Sequence, residues 1–143
     1  MEYYIYVTND CNMNCKYCSV LFDTQKYGVP MKPQYSLDEL ERFITKTQKN
    51  LNEEVADIYF FGGEPTVDYE QIEKIIDALD KPHSYKINYI MHTNGLLIPK
   101  APIHILKKID LTLLSFNYEL IYKNGHITSY FGQMLESIEH IKS

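Results

Sequence analysis

The run Cys11-Asn12-Met13-Asn14-Cys15-Lys16-Tyr17-Cys18 holds all three cysteines of the chain, and thiolates are the soft ligands that zinc and iron-sulfur clusters take. With the spacing C-x3-C-x2-C, neither a tetrahedral zinc ion nor a four-iron cubane is completed, so one coordination position is left over. Zinc would need a histidine as its fourth ligand. His83, His92, His104, His126 and His140 stand at no short zinc-finger spacing from the cysteines, and there is no second Cys-x2-Cys pair. That turns the reading toward a cluster with one open iron, able to bind a substrate or cofactor directly.

Three further segments could carry chemistry. Gly62-Gly63-Glu64-Pro65 joins two residues that tolerate unusual dihedrals and close backbone approach to a carboxylate able to accept hydrogen bonds from an ammonium group. Thr93-Asn94-Gly95 is a strong turn signal, and Ser115 and Asn117 offer a hydroxyl and an amide two residues apart.

These segments need elements to position them, and the pattern supplies four β-like runs alternating with helix-like stretches. Tyr3 to Thr8 reads as a strand and leads directly into the cysteines. A polar connection marked by Pro and Gly is expected from Asp23 to Tyr35. Ser36 with Glu39 has capping-box spacing for a helix whose apolar stripe runs through Leu37, Leu40, Phe43, Ile44 and Leu51. Strands are expected at Asp57 to Phe61, Tyr85 to His92 and Leu111 to Phe116, with helices near Tyr69 to Leu79, Ile103 to Lys108 and Tyr130 to Ile141. Such alternation predicts parallel strands joined by right-handed crossovers, with ligand sites at the carboxyl ends of the strands. All four segments follow a strand, so they should meet on one rim.

The cysteine spacing, with an aromatic residue just before the last cysteine, resembles the signature of the radical S-adenosylmethionine (radical SAM) superfamily, and Gly-Gly-Glu-Pro is its second matching motif. The resemblance implies that Cys11, Cys15 and Cys18 hold three irons of a [4Fe-4S] cluster, while the amino and carboxylate groups of S-adenosylmethionine chelate the fourth. It also implies reductive cleavage of that cofactor to a 5'-deoxyadenosyl radical, which abstracts hydrogen from a substrate. The cofactor-binding set carried over is Tyr17 near adenine, Gly62, Gly63 and Glu64 at the methionyl amine, Asn94 at the third strand's end, and Ser115 and Asn117 near the ribose. Asn117 replaces an acid common in relatives, and no arginine follows Arg42, leaving Lys123 as the nearest cation where many members place one.

Family cores commonly have six βα units and this sequence supplies four, so the expected fold is a shortened, parallel-stranded partial (β/α) barrel over residues 1–143, either a trimmed member or a fragment truncated on its C-terminal side. The second motif is nearest in flavour to peptide and sulfatase maturases, although their auxiliary-cluster cysteines are missing. It implies a peptide or protein substrate. A flavodoxin- or ferredoxin-type donor is expected to supply the electron. The enzymatic rival is a glycyl-radical activator like the anaerobic ribonucleotide reductase activases, and the non-catalytic rival is an iron-sulfur or metal-binding module.

Composition narrows the partners. A net charge of -5 argues against a large nucleic-acid footprint, and no apolar run is long enough to span a bilayer. With no basic, then apolar, N-terminal segment, a reducing cytoplasm is expected, where clustered cysteines bind metal or do redox work.

Overall fold

The computed structural model describes residues 1–116, 121–124 and 126–142. Asn117 therefore lies outside the described residues, as does the side chain of Lys123. Four strands, β1 (Glu2–Thr8), β2 (Val55–Gly62), β3 (Lys86–Thr93) and β4 (Leu111–Leu114), form one sheet in the order β1-β2-β3-β4. Every pairing in it is parallel. The fold is α/β, with all four carboxyl ends at one edge.

Between β1 and β2 lie two helices, α1 (Ser19–Tyr27) and α2 (Leu37–Leu51). Ser36 caps α2 by accepting from the Glu39 N–H at 3.3 Å, and Asn52 ends it in the left-handed conformation, φ 54°. A 3-10 turn (Pro65–Val67) precedes α3 (Tyr69–Leu79), which is capped by Asp68. After β3 come a second 3-10 turn (Ile98–Lys100) and α4 (Ile103–Leu106). After β4, a two-stranded antiparallel ribbon, β5 (Tyr122–Lys123) and β6 (His126–Ile127), leads into α5 (Ser129–Lys142).

The alternation of β1 and β2 decides the layers. Tyr3, Ile5 and Val7, with Ala56, Ile58 and Phe60, are buried on one face beneath Ile44 of α2 and Ile72, Ile75, Ile76 and Leu79 of α3. The other face carries the row Tyr4, Tyr59, Ile90, Leu111, matched residue to residue across four strands. No helix among the described elements covers it fully: Tyr4 remains 56% exposed and Leu111 50%.

Three expectations need amending. The stretch from Asp23 begins inside α1, because Ser19–Tyr27 lacks a clean apolar stripe and the breakers Gly28 and Pro30 fall later. β4 ends at Leu114, so Ser115 and Phe116 lie beyond it, and a ribbon stands where the sequence around Lys123-Asn124-Gly125 reads as a polar loop. No helix of the described residues is long and apolar enough to cross a membrane.

Candidate cofactor site

The cysteine loop is rooted by backbone contacts at its first residues. Thr8 and Asp10 accept at 2.9 and 2.8 Å from the N–H groups of Gly63 and Glu64, and Asn9 donates to the Met31 carbonyl at 2.8 Å. This approach explains both glycines. A Cβ on Gly62, whose φ is 142°, would stand 2.1 Å from the Thr8 carbonyl oxygen, and one on Gly63 would stand 2.2 Å from that of Asp10. The close approach that Gly62-Gly63 permits is therefore by the chain's own β1 exit, which seats the cysteine loop on the tip of β2.

Glu64 follows at once and is 2% exposed. Its Oε1 accepts from the Thr66 N–H at 3.1 Å, the Thr66 hydroxyl at 2.5 Å and the Thr93 hydroxyl at 2.6 Å, and its Oε2 accepts from the Asn94 N–H at 2.7 Å. All four donors are neutral. No Lys, Arg or His pairs with this carboxylate among the described residues. Buried carboxylates are ordinarily paired with a cation. Oε2, with a single donor, retains capacity for one more.

Asn94 extends the network sideways. Its Nδ2 donates to Asn12 Oδ1 at 2.8 Å, inside the cysteine run, and its Oδ1 accepts from the Leu96 N–H at 3.0 Å. The same turn is held from above by α5, where the Ser137 hydroxyl donates to the Gly95 carbonyl at 2.5 Å and the Tyr130 hydroxyl to that of Asn94 at 3.4 Å. Gly95 adopts φ 83°, which the turn requires and a side chain disfavours.

These pieces enclose a cleft of about 320 Å³, near the lower end of ligand pockets. Cys11, Cys15 and Cys18 line one wall; Gly62, Gly63, Glu64 and Asn94 the floor; Tyr17 and Ser115 also border it. Every sequence-derived site residue that is described thus meets here. Tyr17 is 68% exposed, and the Ser115 N–H donates to the Thr93 carbonyl at 2.8 Å. A second cavity of about 250 Å³ lies behind the same three cysteines, toward Thr24, Gln25 and Met31.

Among the described residues no three His, Cys, Asp or Glu side chains are grouped to hold one metal ion. Burial pushes the Cys11 thiol up, partly opposed by the Met13 N–H directed at its sulfur, and Glu64, Cys15 and Cys18 push it further up.

Four participants carry no motif of their own: Asn12, Thr66, the hydroxyl of Thr93, and Tyr130. Thr93 lies in the turn that the sequence marked, but the role of its hydroxyl, like that of Thr66, becomes visible only once Glu64 is known to be buried and in need of donors.

A family model described as the radical SAM superfamily matches residues 5–143. The radical SAM cyclopropyl synthase TigE of Paramaledivibacter caminithermalis is 33% identical over 122 residues, covering 78% of this chain and 26% of that protein. The 7,8-dihydro-6-hydroxymethylpterin dimethyltransferase of Methanocaldococcus jannaschii is 33% identical over 112 residues, covering 78% of this chain and 20% of that one. The chain therefore spans about a quarter or a fifth of the length of these relatives. Among solved structures, native anSMEcpe with bound AdoMet and Cp18Cys peptide superposes with a TM-score of 0.61 over 99% of this chain and 39% of that one, at 22% identity, which shows a shared fold. With a family match over nearly its whole length, a shared partial-barrel fold and three cysteines on a cleft at the strand ends, the chain belongs to the radical SAM superfamily.

Proposed function

We propose that the chain binds one [4Fe-4S] cluster through Cys11, Cys15 and Cys18 and S-adenosylmethionine in the adjoining cleft, and that it initiates radical chemistry on a peptide or protein. The observation that carries the reading is Glu64: a buried carboxylate with four neutral donors and no cationic partner, on the floor of the cleft that the cysteines wall. A methionyl ammonium is the cation this position lacks. When bound, the cluster and cofactor supply one-electron cleavage of a carbon-sulfur bond and a 5'-deoxyadenosyl radical.

The chain's residues bind and orient. Glu64 Oε2 receives the ammonium, Gly62 and Gly63 keep the cysteine loop seated on β2, and Ser115 and Tyr17 border the space left for the nucleoside. The ribose role read for Asn117 stays with this proposal. We assign the supply of the electron to a flavodoxin- or ferredoxin-type donor.

The peptide assignment rests on the partly open apolar face that carries Tyr4 and Leu111 and reaches the cleft at Phe61 and His92, and on the peptide that accompanies AdoMet in the structural neighbour. Anaerobic reconstitution with iron and sulfide, then dithionite and S-adenosylmethionine, tests the core of the proposal. The expected products are 5'-deoxyadenosine and methionine. A cluster without those products would leave a non-catalytic iron-sulfur module, and bound zinc without iron-sulfur absorption would remove the cluster as well.

A further inference from the structure

The cysteine loop is rooted at residues 8–10 and turns into α1 through the Cys18 N–H to Cys15 carbonyl bond of 3.1 Å. Between these anchors, Asn12 reaches across to Asn94, a residue 82 positions away. Asn12 is itself exposed, whereas Asn94 is buried. An exposed loop residue gains little fold stability from such a bond, so its consequence lies in what it positions.

Asn94 is chemically specified for the task. Its backbone N–H is committed to Glu64 Oε2, its Oδ1 to the Leu96 N–H and its Nδ2 to Asn12 Oδ1. Leu96 requires an acceptor and Asn12 a donor, and the Asn94 amide offers both at once from two separate atoms. Aspartate would set a carboxylate against the Asn12 oxygen and beside Glu64. Alanine would serve neither partner. Because the Leu96 bond fixes the amide, any displacement of the Asn94 backbone is carried to Asn12 and hence to the segment between Cys11 and Cys15.

We propose that Asn12 and Asn94 are positioning residues: a strut of two hydrogen bonds joins Glu64 to the cysteine loop, so that occupancy at the carboxylate and placement of the thiolates are coupled. This rests on the reading of Glu64 as the receptor of a cationic amine. The strut makes the loop firmest when the cation is in place, and makes the cation bind best when the loop is in place.

Two measurements on Asn12→Ala, Asn94→Ala and the acceptor-retaining Asn12→Asp decide it. In the iron-free protein, both alanine variants should have cysteines alkylated by iodoacetamide several-fold faster than the parent, with Asn12→Asp returning toward the parental rate. In the reconstituted, reduced protein, the S-adenosylmethionine concentration that half-saturates the change in the cluster's electron paramagnetic resonance should rise about tenfold in Asn12→Ala at unchanged iron content, again with rescue by Asn12→Asp. Parental alkylation rates in both alanine variants would overturn the strut. Faster alkylation with an unmoved half-saturation point would overturn the coupling. If the parent itself shows no spectral response to S-adenosylmethionine, the proposed function falls, and the alkylation rates still judge the strut.

Discussion

Glu64 concentrates the chemistry of the site in one side chain. Glu64→Gln keeps the size but turns one oxygen into an N–H2, which then faces either the Asn94 N–H or the threonine hydroxyls. The clash of donors should cost about 1–3 kcal/mol in urea unfolding, and loss of the charge should weaken S-adenosylmethionine binding at least about tenfold, read by calorimetry on the reconstituted protein. Gly63 invites a sharper test. A methyl at Gly63 would meet the Asp10 carbonyl oxygen at 2.2 Å, so Gly63→Ala should unseat the cysteine loop and lower stability by about 1–3 kcal/mol or more, with loss of iron retention. Cys15→Ala, by contrast, should leave the circular dichroism spectrum of a folded domain while abolishing cluster absorption. The cysteines and Glu64 were legible in the sequence because their types and spacing are unusual in themselves. Thr66, Thr93 and Asn12 are ordinary residues whose roles come from which oxygen they face, a three-dimensional fact.

Among the elements, those with strong periodicity and caps were read nearly to the residue. α2 begins at Leu37 after the Ser36 cap, and α3 runs Tyr69–Leu79 as its isoleucines demand. α1 was missed because nothing in Ser19–Tyr27 repeats at helical spacing, and its exposed Phe22 and Tyr27 pack instead on each other, with Lys26 over both rings. The cap is separable from the site: Ser36→Ala should lower the unfolding free energy by about 1 kcal/mol without changing cluster content, measured by urea titration alongside iron assay. Helix α5 behaves otherwise, since Ser137 and Tyr130 grip the Thr93–Asn94–Gly95 turn directly. Its sequence showed a helix, but not that its first turn closes over the cofactor cleft.

At the scale of the described residues as a whole, one face of the sheet is packed and the other is only partly covered. Parallel sheets are ordinarily covered on both faces. Here Tyr4 and Tyr59 stack at 4.6 Å with Phe61 edge-on to Tyr4 and Tyr6, leaving Tyr4, Tyr6, Leu111 and Leu113 exposed. The face should bind an environment-sensitive apolar dye in the native state. Replacing Tyr4 and Leu111 together by Ser should reduce that fluorescence several-fold while moving the urea midpoint little, because both side chains are half in water already. The run Tyr3-Tyr4-Ile5-Tyr6-Val7 has no polar/apolar alternation to mark this face, and its openness follows only from counting the helices on each side.

The parallel, sequential sheet also sets an order of events in time. The cysteines span eight residues and leave the ribosome together, yet the backbone that seats them arrives with Gly63 and the strut that steadies them with Asn94. Contacts this distant along the chain form late in folding. Until β3 has paired, the thiols sit on a loop that neither Gly63 nor Asn94 yet anchors, a tether rather than a socket. On the proposed reading, assembly of the cluster is a step after folding, once the Asn12–Asn94 bond is in place.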